Sequence, residues 1–259
     1  MKTTLTALIA SAVLWVPLSQ AAEPSTQVPR DAMHTDATVS ASETLSERQQ
    51  AIPLIASFMA ASDMPRLNAA LNQGLDAGLT ISETKEVLVQ LYAYAGFPKS
   101  LNALGELLQV VEERKERGIE DDPGREPSQA IPVGDELIAV GTANQTRISG
   151  APVKNAVTDF APVINQFLQA HLFGDIFERD NLDWQSRELA TVGALAAMPG
   201  VEAQLRSHMA ASMRVGLTEA QLQQLIQVLA EQGDADAASR AGEALTQALV
   251  AQQASPERP

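Results

Sequence analysis

Residues 67–80, LNAALNQGLDAGLT, lie over residues 205–218, LRSHMAASMRVGLT, at a constant shift of 138. Leu67, Gly78, Leu79 and Thr80 coincide with Leu205, Gly216, Leu217 and Thr218. Upstream, LSERQQAIPLIASFMAA (45–61) matches LDWQSRELATVGALAA (182–197) once one residue is gained or lost between them. Downstream, Glu83, Val87 and Leu91 fall on Gln221, Leu225 and Leu229, all at helical spacing. Few identities survive, but the apolar period and the Gly-Leu-Thr punctuation recur in order. Two copies of one helical unit is the reading.

Each copy has the same local logic. Val201, Leu205, His208, Ser212 and Val215 follow 4-3-4-3 spacing and line one face of a helix. Gly216 then stands where a left-handed residue ends a helix. Thr218 caps the next helix, predicted over 219–231 with Leu222, Leu225, Ile226 and Leu229 inward. Gly78, Thr80, Val87, Leu88 and Leu91 repeat the design. Pro98 opens a helix to about Arg117, for which Leu101, Leu104, Leu108 and Val111 are the expected core stripe. Alternation of the strand kind is confined to an ambiguous patch at Leu137–Val140. The fold class is all-α: a unit over 45–117, a linker over 118–155 that is rich in Pro, Gly and Asp to about 134, a second unit over 156–250, and a tail over 251–259.

Composition bounds the function. The chain has 259 residues, 45% of them hydrophobic, enough to bury a core. It carries 32 acidic against 18 basic side chains, and a net charge of −14 repels nucleic acid. With no cysteine there is no disulfide, thiolate nucleophile or zinc-cysteine site. Lys2, the apolar run Leu5–Val16 and the small residues Ser19 and Ala21 of Ser19-Gln20-Ala21 read as a secretory signal over 1–21, cleaved near Ala21, which implies a periplasmic protein. Residues 22–44, rich in Ser, Thr, Ala and Pro, read as a flexible leader in which His34 and Met33 belong to a solvated tail. No other window is apolar enough for a membrane anchor.

Chemistry-bearing residues are few. The sequence has no GxSxG elbow, phosphate-binding Gly-rich loop or HExxH motif, and its three histidines are scattered at 34, 171 and 208. The run Glu112–Arg117 reads as a solvated helix end, and His171 as structural. Glu188 and His208 are the candidate acid–base pair. On an unbroken helix they would stand ~30 Å apart along the axis. Pro199-Gly200 makes a reversal the better expectation, with Glu188 eleven residues before the proline and His208 nine after. Adjacent antiparallel helices would then bring carboxylate and imidazole side by side, a workable proton-transfer unit near neutral pH. A buried histidine tied to a carboxylate as plain packing remains the competing reading. Arg187, Arg206 and Arg214 are candidate carboxylate anchors, with structural or surface ion pairs as the alternative. Ala70 stands in place of His208 in the first copy, and Gln50 or Ala51 in place of Glu188, so only one copy carries the pair. Tyr94 and Phe97, from the first copy, are the candidate walls of a composite pocket, against a reading as core aromatics.

Two stretches also carry a resemblance. The segment Tyr92-Ala93-Tyr94-Ala95-Gly96-Phe97-Pro98 after Gly78-Leu79-Thr80, and residues 167–208 with Arg187-Glu188, Pro199-Gly200 and His208, resemble the carboxymuconolactone decarboxylase family over most of 45–250. The resemblance implies an alkylhydroperoxidase D-like helical fold. It implies a homo-oligomer, in which tandem copies would let a trimer mimic a hexamer. It also implies a carboxy-lyase that works on a small lactone diacid without metal or organic cofactor. Peroxide-reducing relatives use a CxxC pair that this chain lacks. Because lactone breakdown of this kind is cytoplasmic, an exported member is expected to take a different, related substrate. A non-catalytic helical oligomer acting in binding or assembly is the alternative.

Overall fold

The computed structural model describes residues 43–254; the expected signal, most of the leader and residues 255–259 of the tail lie outside them. Every regular element of the described chain is a helix, with no strand among these residues. The elements are α1 (Glu47–Ala61), α2 (Met64–Asp76), α3 (Ile81–Gln90), α4 (Tyr92–Ala95), α5 (Phe97–Glu116), α6 (Asp135–Ser149), α7 (Ala156–Phe160), α8 (Pro162–Phe167), a π-helical segment (Leu168–Ile176), α9 (Trp184–Ala197), α10 (Glu202–Arg214), α11 (Glu219–Gln232) and α12 (Ala235–Ala254).

Helix starts follow from side-chain caps. Thr80 accepts from the Glu83 amide while Glu83 reaches back to the Thr80 amide, and Thr218 and Gln221 do the same at α11. Ser46 with Gln49 opens α1, and Asp183 caps α9. Gly78 and Gly216, at φ +90° and +101°, turn the chain between α2 and α3 and between α10 and α11. The element bounds repeat at the shift seen in the sequence. α2 and α10 are offset by 138 at both ends, as are α5 and α12, and α3 and α11 start 138 apart.

The two halves share one core. The most extensive packing in the molecule is between α1 and α9, which are buried along nearly their whole length. Gly193 lies against the backbone of Pro53, so close that a Cβ there would stand 2.5 Å from the Pro53 carbonyl oxygen. Leu67, Leu88, Leu189 and Leu225 belong to a single continuous cluster.

Two expectations are corrected. The stretch 118–155 is not all linker. It carries α6, which includes the ambiguous Leu137–Val140 patch and packs on the π-helical segment. Its buried face is Gly141, Gln145 and Ile148, so its helical period is not written in hydrophobic residues. Gly141 permits the close approach, because a Cβ there would overlap the Gln169 carbonyl at 1.7 Å. In α5 the inward face is Ser100, Ala103, Leu107, Val110 and Arg114 rather than the expected leucine stripe. Ser100 donates to the Leu88 carbonyl at 2.7 Å, and Arg114 pairs with Asp76 and Asp121. Leu101 and Leu108 face outward, with Leu104 and Val111 half-buried.

Candidate active site

The Pro199-Gly200 step reverses the chain between α9 and α10, and the two helices pack against each other. Glu188 and His208 meet across that contact: His208 Nδ1 and Glu188 Oε2 are 2.8 Å apart. The Glu188 side chain is fully buried, and that of His208 is 15% exposed. With Nδ1–H donating its hydrogen bond to Glu188 Oε2, the tautomer is the one whose Nε2 carries a free lone pair. His208 lines a cleft of about 740 Å³ together with Arg206, Arg214, Ser149, Ile148 and Phe173. Its walls also include Ala248 of α12 and Val153, from the turn after α6.

The cleft lining combines two arginines with apolar residues. Arg206 is exposed, and its contact with Gln247 is long at 3.3 Å. Arg214 donates one hydrogen bond, 3.1 Å, to the Ile148 carbonyl near the end of α6. Both arginines line the cleft onto which His208 opens, where a carboxylate could be received.

Tyr94 reaches this centre from the first half. Its ring stands edge-on to His208, 5.4 Å between centroids at 79°. Its hydroxyl is buried without a hydrogen-bond partner, and so is Glu188 Oε1. Burial first, and then the neighbouring Glu188 carboxylate, push the Tyr94 phenol far above the usual tyrosine range. Phe97 is not brought to the pair. It is 60% exposed and stacks on Tyr92 at 4.1 Å, and Tyr92 in turn leans on His171. His171 is half-exposed and bonds Asp175 at 2.6 Å within the π-helical segment.

Arg187 is turned away from the cleft. It is fully buried and donates to Glu86 at 3.0 Å, to Gln90 at 2.9 Å and to the Arg179 carbonyl at 2.6 Å. Arg179 and Asn181 also bond Glu86, so Arg187 joins α9 to α3 through a polar interior network. Burial lowers the Arg187 pKa below the ordinary guanidinium range, with Glu86 opposing that shift. Sequence reasoning did not find Glu86 and Gln90. The available signal was polar residues at Ser82, Glu86 and Gln90, spaced by four on a helix whose neighbours Val87 and Leu88 are core.

Among the described residues no group of three or more His, Asp or Glu side chains is placed to hold a metal ion. None of their helices is long and apolar enough to cross a membrane. No curated protein matches the chain. Residues 162–247, which contain Glu188, Arg206 and His208, match the model of the carboxymuconolactone decarboxylase family.

Proposed function

We propose that the chain is a carboxymuconolactone decarboxylase-like carboxy-lyase that works by proton transfer, without a cofactor, on a small carboxylated lactone-type compound. The observation that carries this reading is the 2.8 Å contact between a fully buried Glu188 and a His208 that opens onto a cleft beside Arg206 and Arg214. A substrate carboxylate is received by the arginines. As the bond from carbon to the departing carboxylate breaks, its electron pair passes into the conjugated lactone carbonyl and carbon dioxide leaves. The His208 imidazolium delivers a proton to the carbon so exposed, and solvent restores it. Glu188 stabilises the imidazolium in that step and fixes its ring. Tyr94 packs edge-on against the His208 ring and helps to hold it.

The offset of element bounds by 138 supports a chain built from two copies of one helical unit, of which the second keeps the acid–base pair. The reading includes export of the chain to the periplasm by its N-terminal signal and assembly as a homo-oligomer. The alternative is a non-catalytic helical assembly protein, and the observation in its favour is the apolar surface left on α5.

Turnover of a panel of carboxylated lactones and β-keto acids, followed by carbon dioxide release, tests the reading. His208→Ala and Glu188→Gln should each lower kcat by about 10²–10⁴, while far-UV circular dichroism stays that of the parent. Release that is unchanged in His208→Ala, or absent from the parent with every compound, would reject it in favour of the assembly protein.

A further inference from the structure

The end of α6 forms part of the cleft wall, through Ile148 and Ser149. Gly150 closes that helix at φ +77°, and a Cβ there would stand 2.7 Å from Arg214 Nε and 3.2 Å from both Cδ and Cζ. The three nearest atoms all belong to Arg214, so its guanidinium lies against bare glycine backbone. From that seat Arg214 donates to the Ile148 carbonyl at 3.1 Å, one of the last carbonyls of α6, which have no partner within the helix. Its other N–H donors meet no carboxylate among the described residues.

The positions 138 residues earlier show what a cation here takes. Arg214 corresponds to Asp76, and Gln252, which lines the cleft from α12, corresponds to Arg114. Arg114 is buried and holds two carboxylates, Asp76 and Asp121, each at 2.8 Å. In the second half the cation sits on α10 instead, no acid faces it, and it borders the cleft. On a chain of net charge −14, an arginine left without a carboxylate is suited to one that a ligand brings. We propose that Gly150 is a positioning residue for a carboxylate subsite: by lacking a side chain it seats the Arg214 guanidinium against the end of α6, where Arg214 takes the carboxylate and discriminates against uncharged analogues. This rests on the reading of the cleft as a site for a small carboxylated compound.

The test measures binding at equilibrium to the full chain, followed by NMR through the His208 imidazole signals. The probes are paraconate, a saturated γ-lactone carboxylate, and its uncharged methyl ester. The parent should bind the acid about 10-fold more tightly than the ester. In Gly150→Ala the new methyl displaces a flexible arginine, so that preference should fall to about 2-fold or less, with ester binding and far-UV circular dichroism unchanged. Alanine is strained at this φ. Gly150→Asn carries the same Cβ on a residue that accepts the left-handed conformation, and should show the same loss with the fold intact. The double variant Gly150→Ala, Arg214→Gln should be no worse than Arg214→Gln alone, because both changes act on one group. A parent that does not bind the acid or does not prefer it, a preference kept in both Gly150 variants, or additive losses in the double variant would each overturn the proposal. Binding is read without turnover, so the carboxy-lyase reading is judged separately. An acid preference that depends on Gly150, in a chain that releases no carbon dioxide from any compound, supports the proposal and rejects that reading. Carbon dioxide release with a preference unmoved by either Gly150 variant does the reverse.

Discussion

Arg187 and Glu188 are neighbours in sequence, yet the structure gives them to different networks. Successive residues on a helix point about 100° apart, so when Glu188 faces His208 on α10, Arg187 faces Glu86 on α3. That step made different partners for the two the better expectation, and the argument was available before any coordinates. Arg187→Met leaves Glu86 buried with only part of its counter-charge, and should cost about 3–5 kcal/mol in urea unfolding. Tyr94 makes the opposite case. Its hydroxyl is buried and unpartnered, so Tyr94→Phe should leave stability unchanged or raise it by about 1 kcal/mol. The same variant has a pH signature. An unfolded tyrosine loses its proton near pH 10, whereas burial makes folded Tyr94 hold on to it. Stability from this group is therefore complete below about pH 10 and drains away above it. The parent should lose stability there more steeply than Tyr94→Phe, as read by thermal melts from pH 9 to 11.

At the scale of the helices, legibility followed the source of each boundary. Starts and stops came from caps and glycines, which act through local hydrogen bonds, and Thr80, Thr218, Gly78 and Gly216 fell where the sequence put them. The facing of α5 did not, because hydrophobicity was the only guide to it. Its inward side mixes Ala103, Leu107 and Val110 with a serine and an arginine whose burial is offset by a hydrogen bond and ion pairs that only the tertiary fold supplies. α6 was missed for a related reason: a glycine and a glutamine share its buried face with a single isoleucine, Ile148. The meeting of Glu188 and His208 was foreseeable, because a Pro-Gly step with eleven residues on one side and nine on the other is a fact of the chain. Two outcomes belong to this scale. Thr218→Ala should cost about 1 kcal/mol through the lost cap. Gly193→Ala, pressed on the Pro53 backbone, should cost about 1–3 kcal/mol or more by forcing α1 and α9 apart. Chemical denaturation measures both.

For the molecule as a whole, charge and topology set the terms. Several surface carboxylates are held below the usual range, Asp180 by the Ser128 hydroxyl and amide and then by Arg125, and Asp63 by Arg66. A depressed carboxyl contributes stability above its unfolded pKa near 4 and loses it as pH falls through the folded value. Melting temperature should therefore hold from neutrality to about pH 4 and drop below it. The pairing of α1 with α9 has a further consequence for the order of folding. The two helices at the centre come from opposite halves, and joining them closes a loop of about 140 residues at a cost of roughly 4 kcal/mol. Until α9 has been synthesised, α1 has no partner for its most buried side, and a fragment ending at residue 117 should stay a loose, protease-sensitive coil. Nascent chains thus remain pliable for most of their length and then gain rigidity late, all at once.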